Sequence, residues 1–171
     1  NLQDNKIEEV PVESLRPLSH LTLLDLSRNH IDRVTDKAFA TLQNLTTLKL
    51  SDNNLTLLPG AFKGLEGTLK NLNLKGTKQK HIPEAVRGLQ TLAFLDLAQN
   101  LLRELPGSEG RLLEGLHSLT ALNLERNLIQ NVGADAFSGV NDTLSSLSLL
   151  NNLITDFPTA AINSLTELRV S

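Results

Sequence analysis

The sequence predicts an α/β solenoid: short parallel strands stacked into one concave sheet, returning over a convex face by turns and brief 3₁₀ segments. Three observations predict it. An apolar frame recurs along the chain, each time with Leu at two alternating positions. Asn recurs at one slot of that frame. A second apolar set follows each copy, so that every unit closes on itself in 23 to 27 residues.

The frame reads L-x-x-L-x-L-x-x-N-x-L. It is filled by Leu21, Leu24, Leu26, Asn29 and Ile31, and again by Leu45, Leu48, Leu50, Asn53 and Leu55. It returns at Leu92/Leu95/Leu97/Asn100/Leu102, at Leu119/Leu122/Leu124/Asn127/Ile129, and at Leu144/Leu147/Leu149/Asn152/Ile154. Partial copies open the chain (Leu2, Asn5, Ile7) and close it (Leu165, Leu168, Val170). One copy departs. After Leu69, Leu72 and Leu74 comes KGTKQKH, residues 75–81, with Thr77 in the Asn slot and Gln79 in the apolar slot beyond it. The slots fall at 5, 29, 53, 77, 100, 127 and 152. Regular self-similarity at this period is the mark of a stacked-repeat architecture.

Each element has a physical reason. The L-x-L core has period two, which makes a strand with one buried face. The slot Asn follows the strand and turns inward, where its amide can bond backbone groups that would otherwise be buried without partners. A closing apolar set follows: Val34, Leu58, Ile82, Leu105, Val132 and Phe157, often with Pro next (Pro59, Pro83, Pro106, Pro158). Pro interrupts regular structure at that bend. An Ala-Phe-like pair comes after it: Ala38-Phe39, Ala61-Phe62, Ala85-Val86, Ala136-Phe137 and Ala161-Ile162. Phe39, Phe62 and Phe137 are expected to stack as a convex spine. In PGSEGRLLEGL the pair becomes Leu112-Leu113, and Gly107 and Gly110 suggest a mobile convex loop.

Composition bounds the function. The chain has 171 residues, a formal net charge of −3, and no Cys, Met, Trp or Tyr. The length fits one domain. Nucleic-acid and membrane-surface binders normally carry a strong basic excess, which is missing here. No nucleic-acid partner and no membrane insertion by this segment are therefore expected. Catalysis is not expected either. There is no Cys nucleophile, and His20, His30, His81 and His117 lie in separate coils without metal-ligand spacing. Asp25 and Asp96 share a row three strands apart, roughly 14 Å at the usual strand spacing. Paired catalytic carboxylates stand about 5–9.5 Å apart. No cofactor is expected.

The frame, with N-x-I/L-x-x-V/L and A-F-x-x-L-x-x-L following it, resembles the extracellular "typical" leucine-rich repeat proteins of animals. Slit, Toll-type receptors, small leucine-rich proteoglycans and chaoptin-like adhesion proteins belong to that group. FKGLEGTLKNLNL and FSGVNDTLSSLSLL each carry a small insertion before the strand, which is most similar to the chaoptin-like members. The resemblance covers the whole chain and implies an α/β leucine-rich repeat horseshoe. It further implies a non-catalytic protein-recognition module of an extracellular adhesion or receptor ectodomain. The cysteine-rich caps usual in that group are absent. Residues 1–171 are therefore expected to form a single domain, about six full repeats plus partial copies, cut from a longer array. Two other readings remain: a non-catalytic partner or inhibitor subunit of a secreted enzyme complex, and an intracellular scaffold.

In such a solenoid the outward strand positions line the concave face. They include Leu23, Thr47, Asn71, Phe94, Ala121, Ser146 and Glu167 before the second Leu, and Asp25, Lys49, Asn73, Asp96, Asn123, Ser148 and Arg169 after it. Ser27, Ser51, Lys75, Ala98, Glu125 and Leu150 follow the third Leu. The expected partner surface comprises Leu23, Asp25, Lys49, Asn73, Lys75, Phe94, Asp96, Asn123 and Glu125. Phe94 faces outward, whereas the other four Phe are expected in the core. Lys49 is expected to pair with Asp25 across the strands. Lys70, Lys75, Lys78 and Lys80 suggest a basic patch for an acidic glycan or the acidic face of a protein. Three N-x-[ST] sequons, at Asn44, Asn54 and Asn141, are candidate N-glycosylation sites in a secreted protein.

Overall fold

The computed structural model describes residues 1–106, 113–163 and 165, and the backbone of 169–170. Gly107, Gly110, Leu112, Glu167 and the Arg169 side chain, all singled out in the sequence, lie outside the described residues.

Seven strands make one parallel sheet, in the order β1 (Leu23–Asp25), β3 (Thr47–Lys49), β5 (Asn71–Asn73), β6 (Phe94–Asp96), β8 (Ala121–Asn123), β10 (Ser146–Ser148) and β11 (Arg169–Val170). Each strand is the centre of one L-x-L frame. Pairing is in register, so Leu24, Leu48, Leu72, Leu95, Leu122 and Leu147 form one inward column. All six are at most 3% exposed. Six buried leucines in one column contribute roughly 1.5–3 kcal/mol each relative to exposure, which holds the coils in stack.

Just past the sheet the chain must bend, and it does so the same way in every coil. The residue before each slot has positive φ: Asp4, Arg28, Asp52, Gly76, Gln99, Arg126 and Asn151, all between 54° and 66°. The slot Asn then holds the bend. Asn53 donates from Nδ2 to the carbonyls of Leu50 and Ser51 in its own coil and Leu26 in the coil before. Its Oδ1 accepts from the Ile31 backbone N–H at 3.1 Å. Asn29, Asn100, Asn127 and Asn152 repeat this, accepting from Ile7, Gln79, Leu102 and Ile129. The side chain acts as a second backbone, bonded both within and between coils.

A second set of two-residue strands, not anticipated from the sequence, lies beyond the slot. There β2 (Arg33–Val34) pairs with β4 (Thr56–Leu57), and β7 (Glu104–Leu105) pairs with β9 (Asn131–Val132). The register corrects the closing apolar set, because Val34 is opposite Leu57 and not Leu58. Phe157, expected in that set, is also a correction: it is 68% exposed. The last described coils hold no partner strand for its segment, so nothing draws the ring inward.

Among the described residues the convex side is built from turns, a 3₁₀ segment (Glu84–Val86) and two four-residue helices, α1 (Val12–Leu15) and α2 (Thr159–Ile162). Phe39 and Phe62 stack with centroids 6.4 Å apart and planes at 16°. Phe137 is buried but does not continue the stack, because Val86 and Leu113 occupy the intervening coils. The expected spine is a pair and a single ring. Gly88 and Gly115 both have positive φ, and a Cβ on Gly115 would stand 2.8 Å from the Gly88 Cα. Glycine is needed there for the close approach of two coils.

Candidate recognition site

The outward face of the seven-stranded sheet is an extended surface built from side chains of successive coils. Its middle strand, β6, carries Phe94, which is 51% exposed. Asn71 and Ala121 are its register neighbours. Ala121 is small and leaves one side of the ring open. Leu23, in the same row on β1, is 41% exposed. Thr47, Asn71 and Ala121 between and beyond them are half-buried.

The next row has a second task. Asp25 accepts the Ser27 N–H, Asn73 that of Lys75, Asp96 that of Ala98 and Asn123 that of Glu125, all at 2.9–3.0 Å. Each is an Asx turn that ends its strand and starts the left-handed bend. These residues therefore serve the fold as well as lining the face, which the L-x-L alternation alone does not reveal. The expected Asp25–Lys49 ion pair is not formed. The two are register partners, but the Asp25 carboxylate turns along its own chain to Ser27. The described ion pairs are Arg16–Glu13, Arg28–Asp4 and Arg87–Glu84.

The third row is mostly not surface. Ser27, Ser51 and Ala98 are buried at 2%, 7% and 4% exposure, and Ser51 donates to Ser27 Oγ at 2.8 Å. Lys75 and Glu125 are half-buried, while Leu150 is 48% exposed. Glu125 accepts a 2.8 Å hydrogen bond from the Ser148 hydroxyl. Asp96 stands between these charged side chains. Burial raises its carboxyl above the ordinary value, the Ala98 N–H and Lys75 oppose that, and Glu125 adds to it.

The coil carrying KGTKQKH solves its missing Asn by other means. Thr77 is fully buried and donates to the Leu74 carbonyl at 2.7 Å. Gln79 supplies the amide that Thr77 lacks, donating from Nε2 to the carbonyls of Leu55 and Thr77 at 3.0 and 3.2 Å. Lys78 takes a second positive φ, 61°, which turns Gln79 inward. Gln79 is thus a displaced ladder residue, not a lost apolar contact.

The four lysines expected to form one basic patch enter different surroundings. Lys70 precedes β5 and Lys75 follows it, so they mark opposite ends of a strand. Five extended residues span about 16–18 Å. Lys78 lines a hollow with Asp32 and Asp52. Lys80 borders another hollow with His81 and Arg103. Of the sequons, Asn44 and Asn54 are exposed and Asn141 is half-buried. The Asn44 amide donates to the Ser19 carbonyl at 2.8 Å.

No cluster of three or more metal-ligating side chains exists among the described residues. None of the described helices is long and apolar enough to cross a membrane.

This architecture defines a repeat solenoid with one continuous seven-stranded sheet. The leucine rich repeat profile matches residues 1–55, 19–78 and 117–170, and the chain belongs to the leucine-rich repeat family. It is similar to leucine-rich repeat-containing G-protein coupled receptor 5 of Rattus norvegicus (34% identity, covering 64% of this chain and 14% of the receptor). It is also similar to lumican of Gallus gallus (38% identity, 66% of this chain and 32% of lumican). The chain thus spans only a minor part of these relatives. Among solved structures, human 5T4 superposes with a TM-score of 0.80 at 29% identity, covering 99% of this chain and 66% of that one. A TLR13–ssRNA13 complex superposes with a TM-score of 0.78 at 31% identity, covering 92% of this chain and 22% of that one. The chain is thus similar to receptor-type and matrix leucine-rich repeat proteins. The last structure is a complex with RNA, so the fold by itself does not exclude a nucleic-acid partner.

Proposed function

We propose that this chain is a non-catalytic recognition module of an extracellular adhesion or receptor-type ectodomain, and that it binds a protein partner through the concave sheet around Phe94. The observation that carries the reading is a half-exposed aromatic ring on the central strand of seven, with small Ala121 beside it. Aromatic residues, Phe included, are enriched at the core of protein interfaces, and the residues that dominate binding energy cluster near the interface centre. Leu23 adds a second apolar contact at the β1 end, and Lys49, Asp96 and Glu125 supply polar contacts around the ring.

Phe94→Ala is expected to weaken binding to the partner at least tenfold, since truncating a central anchor costs about 2 kcal/mol or more. Lys63→Ala, on the exposed convex side, is expected to leave binding unchanged. The assay is titration of the fluorescently labelled chain onto cells that bear the partner. Equal binding by wild type and Phe94→Ala would refute the concave reading.

Placement outside the cell makes the sequons usable. Asn54 is the first candidate, being exposed and, among the described residues, without a side-chain hydrogen bond of the kind that holds Asn44. Intact mass of the native protein before and after N-glycan removal tests this. A loss of about 1–2 kDa per occupied sequon is expected. An unchanged mass contradicts use of the sequons and favours an intracellular setting.

A further inference from the structure

We propose that the hollow beside the second set of strands, bordered by Lys80, Arg103 and Gln130, is a binding site for a sulfated or carboxylated polysaccharide. It is separate from the concave face and does not depend on how that face is used.

The structure brings together here residues that are remote in sequence. The hollow is about 470 Å³ and lies across three successive coils. Lys80 and His81 come from the first coil, Leu101 and Arg103 from the second, Leu128 and Gln130 from the third. Lys80, His81 and Arg103 are all exposed, and none takes part in a described ion pair. Among the described residues Glu104 is the one carboxylate on the rim, against Lys80 and Arg103. In a chain of net charge −3, this is a local reversal of sign.

The floor fits a sugar chain. Leu101 and Leu128 occupy the same position of successive coils, directly after the slot Asn, and are 38% and 37% exposed. In the earlier coils that position holds His30, Asn54 and Lys78. Leu153, 50% exposed, continues this apolar row in the coil after, and the cations flank its Leu101–Leu128 part. The C–H face of a pyranose ring can lie on such leucines. Its sulfates and carboxylates then meet Lys80 and Arg103, and its hydroxyls meet the amides of Gln130 and Asn131. An RNA strand would want aromatic platforms for its bases, worth about 1–3 kcal/mol each. The hollow has no aromatic side chain; Phe94 and Phe157 lie elsewhere. The observations therefore favour a glycan.

The structure also redraws the site relative to the lysine run in the sequence. Arg103 enters it from the next coil. Lys70, at the far end of a strand, does not belong to it.

The test uses a heparin-derived oligosaccharide as the probe, with calorimetric titration at physiological ionic strength. Wild type is expected to bind, with affinity falling as salt rises, because polyanion binding releases counterions. The double variant Lys80→Glu/Arg103→Glu is expected to lose about tenfold or more, equivalent to about 1.4 kcal/mol. Lys70→Glu makes the same type of charge change outside the hollow and is expected to lose less than about twofold. Circular dichroism checks that all variants fold. Absence of binding by wild type overturns the proposal. So does an equal loss with Lys70→Glu, which would indicate diffuse attraction. A single-stranded RNA of equal charge binding more tightly, and losing that binding in the double variant, would overturn the choice of glycan.

Discussion

Replacing Asn53 with Ala should destabilise the chain by about 3 kcal/mol, whereas replacing Thr77 with Val should cost about 1 kcal/mol or less. The two positions occupy the same slot of different coils, and their hydrogen bonds account for the difference. Asn53 is 3% exposed and makes four bonds. Its loss leaves the Ile31 N–H buried without its acceptor, which alone costs about 1–3 kcal/mol. The Leu50 carbonyl loses its amide donor as well, while Leu26 keeps the one from Asn29. Val at 77 preserves shape and deletes only the hydroxyl. The Leu74 carbonyl still has the Asn100 amide, and Asn100 Oδ1 still accepts from Gln79, so no group is stranded. One ordinary hydrogen bond is lost, a net of about 1 kcal/mol. For a chain of this size about 1 kcal/mol moves Tm by about 2–4 °C, so Asn53→Ala should melt about 6–12 °C lower. Urea unfolding at 25 °C with thermal circular dichroism reads both variants. Equal costs at the two positions would refute the claim that the amide, and not merely slot occupancy, holds the coils.

Two further substitutions separate the structure from the repeat pattern. Gln79→Leu restores the expected apolar residue, yet it should destabilise by about 1 kcal/mol in the same urea assay. A half-buried Leu gains about 1 kcal/mol of burial, while the Leu55 carbonyl loses its amide donor at a cost of about 1–3 kcal/mol. A more stable variant would show that the amide contributes nothing. Asp96→Asn should stabilise at neutral pH and flatten the pH dependence of stability. Burial raises the Asp96 carboxyl, so its favourable contribution is present below the unfolded pKa and fades as pH rises through the folded one. Asn keeps the turn, as Asn73 and Asn123 do in the same row. Unfolding midpoints measured from about pH 3 to pH 7 check the sign; a variant less stable at neutral pH contradicts it.

The sheet and its inward column were legible because period-two leucines at a fixed spacing admit one stacking. The slot Asn was legible as a ladder for the same reason. Features set by backbone torsion were not. No side-chain pattern announces that Lys78 takes positive φ, and without that turn Gln79 reads as a lost apolar contact. The ending of the strands by Asp25, Asn73, Asp96 and Asn123 was hidden by their outward position, which made them look free for a partner. The second strand set was missed because two residues leave no periodicity to count. The expected lysine patch rested on nearness in sequence, whereas a solenoid gathers residues one coil apart, as it does Lys80 and Arg103. Phe94 needed no contacts to be noticed, since an aromatic at an outward strand position already stands apart from the leucine frame.

The central claim is that a partner docks on the concave sheet. Site-specific photocrosslinking in the cells that make the protein tests it most directly, with a benzophenone amino acid placed at Phe94 in one variant and at Lys63 in another. The account predicts a discrete crosslinked protein from position 94 and none from position 63. A discrete adduct from position 63, with none from position 94, would contradict it and move the recognition surface to the convex side.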